Sequence, residues 1–251
     1  MPKNFKAVVI DNKDEKFTRE VKDLNSDHLK DGNVLVRIDF SSLNFKDALI
    51  LNNGGRIVKK YPFVPGIDFS GTVEESEDKK FKKDDKVVLT GFRVGEIYYG
   101  GFSQYAKVNS DFLVKLPKDL TNKKVMMMGT AGLTALLCSF AVKAKEELLL
   151  GSKVKDVLVT GATGGVGSFA VMALSKMGYD VHAVTGKKDK HDYLKKLGAK
   201  NILDRKEFLG ELLSDKDTIK KSFTICDGRP CNCTADLRSS KYAPNEINIS
   251  N

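Results

Sequence analysis

Short runs of alternating apolar and polar residues fill roughly the first half of the chain. Residues 7–10, 34–40, 71–74, 86–89 and 102–108 each read as a strand, with turn signals at Asp31-Gly32 and Lys83-Asp84-Asp85. This predicts a mostly antiparallel β module, a partly open barrel. At residues 126–150 (MMMGTAGLTALLCSFAVKAKEELLL) the apolar spacing changes to that of a helix. Residues 157–187 then read as buried strand, glycine turn, helix and second buried strand. Val157-Leu158-Val159 opens this segment, and Phe169, Val171, Met172, Leu174 and Met177 mark the helix. Gly178 closes that helix, and residues 181–185 form the next strand. A helix at 189–197 and a third strand at 201–203 complete the readable pattern.

The turn between the first buried strand and its helix, Thr160-Gly161-Ala162-Thr163-Gly164-Gly165-Val166-Gly167, carries the chemistry. Turns of this kind bring backbone N–H groups against a pyrophosphate at a helix N-terminus, where the dipole favours negative charge. The pattern is a variant of G-x-G-x-x-G, with Ala162 in the first position and Gly164 and Gly167 in the later two. A tight strand-to-helix turn without a ligand would look similar in isolation. Here the strand, helix and second strand that the motif requires are all in place. A dinucleotide is the expected ligand.

The end of the second strand bears on which dinucleotide. NAD-binding chains place an acidic residue about 20 residues beyond the turn to hold the ribose 2′-hydroxyl. This chain has Thr185-Gly186-Lys187-Lys188 there. A hydroxyl and an ammonium suit a 2′-phosphate, so NADP is expected, although the same lysines would also serve a solvated turn.

Composition narrows the class. The 251 residues, 41% hydrophobic, can bury a core in one large or two ordinary domains. There are 42 Lys+Arg against 33 Asp+Glu, a net charge of +9 spread along the whole chain. No zinc-finger spacing or aromatic-plus-basic signature accompanies it, which argues against nucleic acid as a partner. A diffuse positive field attracts anionic ligands such as phosphorylated cofactors. No apolar run of signal-peptide type follows Met1, and the apolar stretches look too short to span a bilayer, so a cytoplasmic protein is expected. Cys138 lies in an apolar helical run and reads as a core thiol. Cys226, Cys231 and Cys233 crowd together in a spacing that fits no zinc site closely.

Five blocks in order, SSLNFKDAL (41–49), PGIDFSGTV (65–73), GTAGLTALLC (129–138), VTGATGGVGS (159–168) and VTGK…YLKKLGAKNIL (184–203), resemble the medium-chain dehydrogenase/reductase superfamily. Within it they are similar to the zinc-free, quinone-oxidoreductase-like branch that includes acryloyl-CoA reductases. The resemblance covers residues 5–208. It implies a GroES-like β domain (1–125), then a truncated Rossmann doubly wound parallel sheet (126–208), in a homodimer. The implied activity is NADPH-dependent reduction of an activated carbon–carbon double bond, in an enoyl thioester or a quinone. Zinc-using members carry Gly-His-Glu where this chain has Gly66-Ile67-Asp68, so no metal is expected.

By the same resemblance Asn44 is a donor to the enolate oxygen formed on hydride transfer, and Asp68 orients it or tunes a proton donor. As plain structure, Asn44 would cap the helix that follows and Asp68 would be a buried acceptor for loop amides. Carried over by position, Phe45 lies against the cofactor, and Thr163, Gly164, Gly165 and Val166 hold the pyrophosphate. Thr185, Gly186 and Lys187 surround the 2′-phosphate, with Arg205 near the adenosine end. Related sequences commonly have Tyr at position 45 and Arg at position 187. The loop at 91–106 departs from the pattern, so substrate contacts there do not carry over.

Past residue 208 the resemblance stops, and only three of the six Rossmann strands are discernible. Residues 209–251 show neither strand nor helix period and are expected to be a truncated or frameshifted terminus, poorly packed or disordered over 222–251. The alternatives left open are a reductase of quinones or other conjugated carbonyls and a non-catalytic nucleotide-binding fragment.

Overall fold

A computed structural model describes residues 2–13, 16–29, 32–149 and 155–206, together with the short strands 224–225, 233–234 and 248–249. The chain divides into two compact units, Met1–Thr130 and Ala131–Asn251.

The first unit begins with a hairpin of β1 (Phe5–Lys13) and β2 (Lys16–Leu24). Strand β2 is mostly exposed and charged (KFTREVKDL), which is why its alternation is weak in sequence. A five-stranded antiparallel sheet follows in the order β6-β3-β4-β5-β7. Its members are β3 (Val34–Ser41), β4 (Asp68–Ser76), β5 (Lys86–Thr90), β6 (Tyr105–Val108) and β7 (Val114–Lys115). Inward residues Val34, Val36, Phe69, Val73, Val87 and Leu89 form its main core, in keeping with alternation on a sheet covered on one face. Between β3 and β4 lies the short helix α1 (Phe45–Leu51), anchored by the buried Ile50.

Helix α2 (Asn122–Leu149) follows, and it is broken at Gly129, whose φ of 50° and ψ of −156° are not helical. By length and composition residues Asn122–Ala144 could cross a membrane, contrary to the expectation that no stretch reaches that size. The break, and the burial of Met126, Ala135, Cys138 and Val142, give this helix the role of a core element.

In the second unit, β8 (Asp156–Val159), α3 (Gly165–Lys176), β9 (Asp180–Thr185), α4 (His191–Lys196) and β10 (Asn201–Asp204) form successive crossovers. Val157, Val159, Val181 and Ala183 are fully buried against Ala170, Val171, Leu174 and Leu194. Near-continuous apolar strands are what a parallel sheet buried between layers demands. The expected three-strand sheet is corrected to four, in the order β10-β9-β8-β11, because β11 (Thr224–Ile225) adds in parallel beside β8. Two residues carry no periodicity, so this strand could not be read from sequence. Cys233–Thr234 pairs with Asn248–Ile249. The rest of 207–251, where a poorly packed tail was expected, lies outside the described residues, as do Cys226 and Cys231.

Candidate functional site

The first unit gathers a polar cluster where β3 ends, α1 begins, β4 begins and α2 breaks. Asn44 is the N-cap of α1, with an extended backbone (φ −113°, ψ 164°). The carboxylate of Asp47, one turn on, accepts the Asn44 backbone N–H at 2.8 Å and that of Ile67 at 3.0 Å. Asp47 is fully buried, and burial raises its pKa, with the nearby charge of Asp68 adding to the rise. The bonds from Asn44 and Ile67 pull it back only in part.

Asp68, the first residue of β4, is also fully buried and is held by four donations. Its Oδ2 accepts from Ser42 Oγ (2.5 Å), Thr130 N (2.7 Å) and Asn44 Nδ2 (2.9 Å), and its Oδ1 accepts from Thr130 Oγ1 (2.5 Å). Gly129 makes this possible. A Cβ there would lie 2.8 Å from Asp68 Oδ2 and 2.9 Å from Ser42 Oγ, and the positive φ disfavours any side chain. The break therefore brings the first amide of the renewed helix onto a carboxylate, a favourable meeting of anion and helix N-terminus.

The Asn44 side-chain amide has two N–H bonds and three acceptors. Ser42 Oγ and Asp68 Oδ2 stand 2.5 Å apart and each 2.9 Å from Nδ2, so they subtend roughly 50° there. One N–H serves both. The other points to Asp47 Oδ2 at 3.3 Å, the longest contact in the cluster. Asn44 thus combines the cap position with one weakly engaged donor. Phe45 projects outward, 60% exposed, and takes no part in this network.

In the second unit the glycine turn has the expected form. Gly161 takes a φ of +58°, Gly164 N–H closes back on Gly161 O at 2.8 Å, and Gly164 is the extended N-cap of α3. A Cβ at Gly167 would meet Gly161 O at 2.3 Å, so only glycine lets the helix pack this close to the turn. Ala162, in the first glycine position of the motif, is fully buried, and Gly161 supplies the left-handed residue beside it. The N–H groups of Gly165, Val166 and Gly167 lie in the first turn, where no intrahelical acceptor exists. Gly164 and Gly165 are exposed, and Thr163 and Val166 are half-buried beside them.

At the end of β9, Thr185 is buried and its Oγ1 accepts the Lys187 N–H at 3.1 Å. Parallel pairing of Thr185 with Asp204 brings the two strand ends side by side. The Arg205 guanidinium consequently lies over Gly186, 3.6 Å from where a Cβ would stand. Lys187 and Lys188 are exposed. Among the described residues no three His, Cys, Asp or Glu side chains come together to hold a metal. Ser42, Asp47, Gly129 and Thr130 were not singled out by sequence, although all four lie inside the blocks SSLNFKDAL (41–49) and GTAGLTALLC (129–138).

An antiparallel β unit followed by a nucleotide-fold α/β unit is the architecture of a two-domain dehydrogenase. Residues 30–118 match the alcohol dehydrogenase GroES-like domain, and residues 157–227 match the NAD dependent epimerase/dehydratase family. Acrylyl-CoA reductase AcuI of Ruegeria pomeroyi is 50% identical over 205 residues, 81% of this chain and 61% of that protein. The crystal structure of Escherichia coli K-12 YhdH with bound NADPH is 40% identical with a TM-score of 0.77, covering 87% of this chain and 67% of that one. Bacillus subtilis yhfP with NAD bound is 41% identical with a TM-score of 0.75, covering 81% and 61%. The chain belongs to the medium-chain dehydrogenase/reductase superfamily, in its zinc-free, quinone-oxidoreductase-like branch. It spans about 61% of the length of the curated relatives it matches.

Proposed function

We propose that this chain binds NADPH at the opening of α3 and serves zinc-independent reduction of an enoyl thioester such as acryloyl-CoA. The observation that carries the reading is the pairing of two features in one unit. A glycine-only turn exposes first-turn amides, and a guanidinium lies over Gly186 where NAD-binding chains place a carboxylate. These residues fit the cofactor. Gly164, Gly165 and Val166 would hold the pyrophosphate beside Thr163, while Thr185, Gly186, Lys187 and Arg205 would surround the 2′-phosphate. Relatives support the choice, one solved with NADPH and another named an acrylyl-CoA reductase, although yhfP was solved with NAD.

When bound, NADPH supplies a hydride to the β-carbon of the enoyl thioester. Negative charge then develops on the thioester oxygen, and a proton from water completes the α-carbon. Asn44 meets that charge by exchanging its long contact to Asp47 for the enolate oxygen, while Ser42 and Asp68 keep the amide aligned. A neutral donor held in place this way needs little rearrangement as charge appears. Phe45 is exposed beside the cap, and by the family resemblance it would lie against the cofactor.

NADPH oxidation followed by absorbance, with acryloyl-CoA and a simple quinone as competing substrates, tests the reading. Preference for acryloyl-CoA is expected. Preference for the quinone favours the second reading, which the 42% identity to a putative quinone oxidoreductase of Bacillus subtilis supports. Binding of NADPH without turnover of either would leave a nucleotide-binding fragment.

A further inference from the structure

We propose that Thr130 is a positioning residue for this site, acting through Asp68 on Asn44. The inference deepens the proposed reductase reading and rests on it for its consequence in turnover. Thr130 gives Asp68 two of its four hydrogen bonds, one to each carboxylate oxygen, from its N–H at 2.7 Å and its Oγ1 at 2.5 Å. Two donors from one residue fix both the position and the rotation of the carboxylate plane. Asp68 Oδ2 in turn accepts from Asn44 Nδ2 and from Ser42 Oγ, and Ser42 Oγ accepts from the same Nδ2. The direction of the weakly engaged Asn44 N–H is thereby set two hydrogen bonds away, at the break in α2.

That break has a local cause. An unbroken helix through 129 would commit the Thr130 amide to its own fourth-preceding carbonyl. The non-helical Gly129 releases it, and a Cβ at 129 would displace both Asp68 Oδ2 and Ser42 Oγ. The groups around Asp68 are the hydroxyls of Ser42 and Thr130, the Thr130 amide and the Asn44 amide. Asp47, on α1, is the charged group that faces it.

The test uses the full chain with Thr130→Val, which keeps the shape and removes the hydroxyl, and Thr130→Ser, which restores it. In amide NMR spectra the Asn44 side-chain NH2 signals should shift in the Val variant and return in the Ser variant, because that amide donates to the carboxylate Thr130 holds. In NADPH oxidation with acryloyl-CoA, kcat should fall about tenfold in the Val variant, with KM for NADPH unchanged, and Thr130→Ser should rescue it. A lower melting temperature with unmoved Asn44 side-chain signals and unmoved kcat would overturn the proposal and leave Thr130 a purely structural cap. If Thr130→Val does not fold, Thr130→Ala removes the same hydroxyl with a smaller side chain. The same shift of the Asn44 side-chain signals is expected there, and its absence overturns the inference. A wild-type chain without turnover defeats the reductase reading alone, because the Asn44 signals still decide the positioning role.

Discussion

Asp47 and Asp68 are both buried carboxylates, and their surroundings differ. Asp68 receives four donations, two of them from hydroxyls. Asp47 receives two backbone N–H bonds and one long amide contact, and burial dominates, so its proton is held more tightly in the folded state than in the unfolded chain. The sign for stability follows. A folded-state pKa above the ordinary 3.8 means that stability is greatest below 3.8 and falls as pH rises towards the raised value. The difference in unfolding free energy between the wild type and Asp47→Asn, measured by urea melts across that range, should shrink as pH rises. A flat or growing difference would contradict it. All four of Asn44, Asp47, Asp68 and Thr130 stand in motif blocks, but Asp47 and Thr130 look in sequence like ordinary members of helices, so only Asn44 and Asp68 were legible. A glycine followed by threonine in an apolar helical run was the available signal, since threonine at a helix start is a capping residue.

Elements were readable in proportion to how one-sided their burial is. Strands β8 and β9 announce themselves because Val157, Val159, Val181 and Ala183 must all be buried. The turn between them is legible for a related reason, as its glycines answer to backbone contacts that no other residue can make. Strand β2 is exposed on nearly every residue, so nothing forces alternation on it, and β11 is too short to show any. Gly167 gives the sharpest prediction at this scale. With a methyl group placed 2.3 Å from Gly161 O, Gly167→Ala forces the start of α3 away from the turn. It should cost about 1–3 kcal/mol of stability in a urea melt and abolish NADPH binding by fluorescence titration. Unchanged affinity would mean that the closeness of helix and turn is irrelevant to the ligand.

At the scale of the whole molecule each unit holds one candidate feature. One holds the buried polar cluster around Asn44 and Asp68, and the other exposes the first-turn amides of α3 and the Arg205 guanidinium, where we propose the cofactor binds. Membership of the superfamily was visible in five ordered blocks, because each is tied to a backbone constraint or a buried polar contact seen here. The fourth parallel strand was not visible, and the apolar length of Asn122–Ala144 passed unnoticed because its interruption at Gly129 is conformational. In the proposed function the opening of α3 and the end of β9 grip one coenzyme, by its pyrophosphate and its 2′-phosphate respectively. Amide chemical-shift mapping during a titration with NADP+ tests it most directly. Saturable shifts are expected at Gly164, Gly165, Val166 and Gly167 together with Gly186 and Arg205, at lower ligand concentration than with NAD+. Shifts absent from the glycine turn, or equal affinity for the two nucleotides with Arg205 unmoved, would contradict it.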